Sequence, residues 1–196
     1  MIKMVKRLDS KLWGINIGIS IFFILSVLFL YPEINTEEDG IVETVQSIFI
    51  VLAMALFTYH AFISKEIKAK LASFGLSLLS LTFLLRELDV EKFDLPSFII
   101  MLGSGAGRNL LLGSLWIILL LFTFKYKSVE KNKIVSFLFS VPGQILMFSA
   151  LMLVLGAMMD KNIFSLQNLT TRFYEELLEL LGYCYLFSAS LLRIKQ

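Results

Sequence analysis

Six stretches of this chain are long and apolar enough to cross a lipid bilayer as helices. A spanning helix needs about 20 mostly apolar residues, because the hydrocarbon interior offers no water to the backbone. The stretches run over 12–30, 41–63, 71–88, 109–124, 134–159 and 173–192. Of the 196 residues, 57% are hydrophobic and only 17% charged, whereas a soluble domain carries about 25% charged residues. The expected fold class is all-α: one polytopic membrane domain over residues 1–196, a bundle of six transmembrane helices.

The first stretch follows Lys3, Lys6, Arg7 and Lys11, a positive flank like that of a secretory signal. Its apolar run exceeds a signal's core, and Tyr31-Pro32-Glu33 is no small-residue cleavage site. It reads as a retained anchor. Pro142 lies near the start of the fifth stretch, where a kink is expected. Residues 98–102 are apolar but too short to span, and are expected to dip into the interface.

Basic residues gather in alternate loops. Lys3, Lys6, Arg7 and Lys11 precede the first span. Lys65, Lys68 and Lys70 follow the second, and Lys125, Lys127, Lys131 and Lys133 follow the fourth. Arg193 and Lys195 follow the sixth. The positive-inside rule places these segments in the cytoplasm. Both termini are then cytoplasmic, which six spans satisfy. The expected location is a bacterial inner membrane, multi-pass. Most of the acids fall on the opposite, outer side.

Those acids define the candidate site. Glu43 lies in the first turn of the second span, with Gln46 on the same face. The third span ends Arg86-Glu87-Leu88-Asp89, below a polar stripe of Ser73, Ser77 and Ser80. The fourth opens with Arg108-Asn109, the fifth ends at Asp160, and the sixth carries Glu175, Glu176 and Glu179. Glu179 lies about 9 Å past Phe173 along the helix axis, the deepest of the sixth-span acids. It shares a face with Glu175 and Gly182, while Glu176, Tyr183 and Ser190 lie nearer another.

A carboxylate below the interface is costly and is usually paired or functional. One reading pairs these acids with Arg86, Arg108 and Arg172 as a structural network. A second uses Glu43, Glu87, Asp160, Glu176 and Glu179 as oxygen ligands to a divalent cation: magnesium, calcium or manganese. Zinc is disfavoured, since the chain has one histidine and one cysteine. A third makes one carboxylate an acid or base. The leading expectation is binding or transport of a cation or small polar ligand in an outward-facing acidic pocket. Its ligand-binding residues are Glu43, Gln46, Arg86, Glu87, Asp89, Arg108, Asn109, Glu176 and Glu179. The alternatives are a divalent-metal-dependent enzyme acting on a lipid or lipid-linked phosphate, and a non-catalytic subunit of a membrane complex.

Membrane lipid is the expected partner, with a protein partner or homo-oligomer if the chain transports. A net charge of +2 gives no case for nucleic acid. The run Gly103-Ser104-Gly105-Ala106-Gly107 ahead of Arg108 reads as a flexible turn, or as a backbone cradle for a lipid phosphate. It lacks the lysine and spacing of a nucleotide-binding loop. Gly14 and Gly18 form a GxxxG pair suited to helix packing. His60 lies at the cytoplasmic end of the second span, away from the acids, and Cys184 reads as a packing thiol. One histidine excludes paired-histidine hydrolases, and no GxGD motif supports an intramembrane aspartyl protease.

Overall fold

The computed structural model describes residues 14, 18, 41–88, 90–126, 131–161 and 168–192. Among these residues all regular structure is helical, with no strand. There are seven α-helices: α1 (Ile41–Ile63), α2 (Ile67–Glu87), α3 (Ser97–Gly103), α4 (Gly105–Lys125), α5 (Lys131–Leu138), α6 (Val141–Asp160) and α7 (Asn168–Leu191). A 3-10 turn over Val90–Lys92 links α2 to α3. The first expected span lies outside the described residues apart from Gly14 and Gly18. Both are helical and exposed, and nothing among the described residues packs on them.

Four helices are long and apolar enough to cross a membrane: α1, α2, α4 and α6. The chain is a membrane protein on this ground. The surface of α4 makes the same point, since Leu110 is 77% and Phe124 76% exposed. Such side chains in water would be an aggregation hazard, and in a bilayer they are ordinary lipid contacts. At 24 residues α7 is as long, but its first half carries Glu175, Glu176 and Glu179.

Besides the earlier starts of α4 (Gly105 rather than 109) and α7 (Asn168 rather than 173), the helix boundaries correct the sequence in three places. α2 starts at Ile67 rather than 71, taking Lys68 and Lys70 into its first turn. The fifth stretch is two helices rather than one kinked span. The first ends at Leu138 and Ser140 caps the second, its Oγ accepting from the Gly143 amide at 3.3 Å. Pro142 then sits in the first turn of α6, where no intrahelical partner for its missing N–H is needed.

The third correction is the glycine run. It is a tight junction between two helices and no loose turn. Ser104 is the only residue between α3 and α4, and Gly105 takes φ +49°, a conformation open to glycine. A Cβ on Gly107 would collide with the main-chain carbonyl of Met101, so a bare Cα lets α4 fold back against α3.

By contact density the chain divides into two compact units, Met1–Gln46 with Ser136–Ala189, and Ser47–Val135 with Ser190–Gln196. In the second, α2 runs antiparallel to α1 and to α4. Thr58 and Ser77 are hydrogen-bonded at 2.7 Å, and Phe62 meets Phe74 edge-on at 5.8 Å. Trp116 Nε1 donates to Thr82 Oγ1 at 3.3 Å. The polar stripe of α2 faces protein: Ser73 and Ser80 are buried, and Ser80 also donates to the Leu76 carbonyl. His60 Nε2 lies 3.0 Å from the Ser190 carbonyl, an acceptor that fixes the ring proton on that nitrogen.

In the first unit α6 and α7 pack antiparallel through small residues. Ser149 Oγ donates to the Gly182 carbonyl at 2.7 Å. A Cβ on Gly182 would lie 2.6 Å from Leu153 Cγ. Without a hydrophobic drive between helices in lipid, close approach of this kind supplies the packing.

Candidate functional site

The acidic site is built where α1 and α7 begin. Gln46 is the sixth residue of α1 and Glu176 the ninth of α7, so both helices start at the same end of the unit. Gln46 is fully buried. Its Nε2 donates to a carboxylate oxygen of Glu176 at 2.9 Å and to the Glu176 main-chain carbonyl at 3.1 Å. Two acceptors on one nitrogen fix the orientation of the amide, which would otherwise be ambiguous.

That orientation leaves a vacancy in the hydrogen bonding. Gln46 Oε1 is buried and accepts from no partner among the described residues. A buried acceptor left unsatisfied costs about 1–3 kcal/mol. The open group is an oxygen, fixed on the same amide that holds a carboxylate. Glu43, Glu175 and Glu179 lie close enough to act on Glu176 as like charges. Such a set attracts a group that brings positive charge and hydrogen-bond donors, or an ion that takes oxygen ligands.

The acids of α7 divide between two neighbours. Glu176 faces Gln46 on α1. Glu179, only 5% exposed, lies under α6, where a Cβ on Gly156 would come within 2.9 Å of its Cγ. Gly156 therefore makes the space that the Glu179 side chain fills. Sequence reasoning passed over Gly156 and Ser149. The available signal was their seven-residue spacing, which puts two small residues on one face of α6.

Glu87 belongs to the second unit and is held by its own neighbour, with Arg86 Nη2 2.8 Å and Nε 2.9 Å from Glu87 Oε1. Arg108, also in that unit, donates through Nη1 to the Leu85 carbonyl at 2.7 Å. Asn109 is exposed on α4, and Asp160 is exposed at the last position of α6. Asp89 lies outside the described residues. Among the described residues no three His, Cys, Asp or Glu side chains are arranged to hold one metal ion.

No known protein family matches the chain, and no curated protein or solved structure shows detectable similarity to it.

Proposed function

We propose that this chain is a six-span protein of a bacterial inner membrane, with both termini cytoplasmic, that binds a cation or small cationic ligand from the outer side. The binding site is the Gln46–Glu176 pair with Glu43, Glu175 and Glu179 around it. The observation that carries this reading is the buried Gln46 Oε1, an acceptor without a donor beside a carboxylate. Its setting favours a ligand that one carboxylate and one amide oxygen can hold, such as a monovalent ion or a primary ammonium group. A divalent metal asks for more protein oxygens at one point.

The topology supports an outward opening. α1 and α7 start together, and the alternation of basic loops puts helix starts of this class on the outer side. Glu176 sits about two and a half turns into α7, deep enough to be costly without a function or partner.

Thermal unfolding of the full chain in a neutral detergent tests the site. Sodium, potassium, magnesium, calcium, manganese and ethylammonium are added separately. A ligand of the folded state at a hundred times its Kd stabilises by about 2.7 kcal/mol. The expected result is a selective upward shift that Glu176→Gln and Gln46→Leu both remove. No shift for any cation, or a shift that both variants keep, would overturn the proposal and return these acids to a structural role.

A further inference from the structure

The second unit contains a cavity of about 430 Å³ where α2 ends and α4 begins. Its wall includes Leu81 and Leu85 of α2, Val90 of the 3-10 turn, Ile99 and Leu102 of α3, and Leu111 of α4. It presents no polar surface. The volume is that of a small-molecule site, about 300–1,000 Å³, and its chemistry is purely hydrocarbon.

Arg108 stands beside this wall. It lies one turn before Leu111 on the same face of α4. Its Nη1 is fixed to the carbonyl of Leu85, itself a wall residue. Among the described residues its other donors have no partner. A guanidinium held in this way offers its remaining N–H groups in a rigid fork, the geometry that suits a phosphate. Phe98 and Met101 of α3 are 62% and 61% exposed, so the segment beside the cavity belongs in an apolar phase. In the charge-based orientation, the end of α2 and the start of α4 lie at the outer boundary.

We propose that this cavity holds one acyl chain of an anionic phospholipid from the outer leaflet, with the lipid phosphate bonded to Arg108. Hydrocarbon walls take the chain, and the guanidinium at their edge selects the headgroup charge. The proposal does not depend on the reading of the Gln46–Glu176 pair.

Native mass spectrometry of the full chain tests it, after extraction in dodecyl maltoside and titration with phosphatidylglycerol or phosphatidylcholine of identical chains. Free glycerol phosphate serves as the headgroup alone. Wild type is expected to retain phosphatidylglycerol about tenfold better than phosphatidylcholine, the factor given by one charge-assisted contact. Glycerol phosphate is expected not to bind. Arg108→Gln should bring the two lipids level, with a chain still retained. Leu111→Trp and Ile99→Trp add bulk to the cavity from α4 and from α3, and each monodisperse variant should lose both lipids. Equal retention of the two lipids by wild type would overturn the proposal. So would undiminished phosphatidylglycerol binding by either filled variant, or binding of glycerol phosphate at the affinity of the whole lipid.

Discussion

Gln46 spends both amide hydrogens on a single residue, bonding the carboxylate and the main-chain carbonyl of Glu176 130 positions away in sequence. The side chain thus orients a carboxylate and ties one helix backbone to another. It has no second amide to offer a ligand, only its carbonyl oxygen.

The first prediction concerns that pair. Gln46→Leu removes the donor from a carboxylate that lies partly out of water, at an expected cost of about 1–3 kcal/mol. Glu176→Leu removes the acceptor and leaves the Nε2 of Gln46 with one partner. The double variant should be less destabilised than the two single losses added together, since residues in one hydrogen-bond network couple by about 0.5–3 kcal/mol. Urea or thermal unfolding in detergent reads all four proteins. Simple additivity would show that the pair is not an energetic unit.

The four long apolar helices were legible because length and hydropathy are local properties. The stretch 41–63 coincides with α1 from end to end. The break at Ser140 was hidden because Phe139, Val141 and Pro142 continue the apolar run, and hydropathy does not register a cap. The signal was a serine ahead of a proline, a helix start. The site was legible only in part. Depth along the helices singles out Glu43, Glu87, Glu176 and Glu179 alike, because it ignores direction around the bundle. Which helix faces which is a tertiary property. It sets Glu176 on Gln46 and leaves Glu87 to Arg86, its own neighbour.

The glycines of the α6–α7 contact give a second prediction. Gly182→Ala places a methyl 2.6 Å from Leu153 Cγ and 3.3 Å from the Ser149 carbonyl. Overpacking of this kind costs about 1–3 kcal/mol. Leu153→Ala vacates one of the two obstacles, so Gly182→Ala should be milder in that background. The readout is the unfolding midpoint of the single and double variants. A Gly182→Ala penalty that stays the same in the Leu153→Ala background would place the strain elsewhere.

Orientation is tested by labelling single cysteines in a Cys184→Ser background. Lys65 lies between α1 and α2, and Lys161 follows α6. In intact cells a membrane-impermeant maleimide should label Lys161→Cys from outside. It should reach Lys65→Cys only after the membrane is opened. The reverse pattern would invert the topology and carry the start of α1 and α7 to the cytoplasmic side.

The last prediction separates two glycines of α4. A Cβ at Gly113 meets nothing within 4 Å, and alanine is the better helix former by about 1 kcal/mol in water. Gly113→Ala is therefore expected to be neutral or slightly stabilising. Gly107 is different, because its Cβ would strike the backbone of Met101. A side chain can rotate away from a methyl, but a carbonyl moves only with its helix. Gly107→Ala should therefore displace α3 from α4 and cost more than the usual overpacking range of about 1–3 kcal/mol. Since α3 also walls the hydrocarbon cavity, lipid retention should fall with stability in that variant and stay level in Gly113→Ala. Paired unfolding and native mass spectrometry read both effects, and equal behaviour of the two variants would remove the close approach as the reason for glycine at position 107.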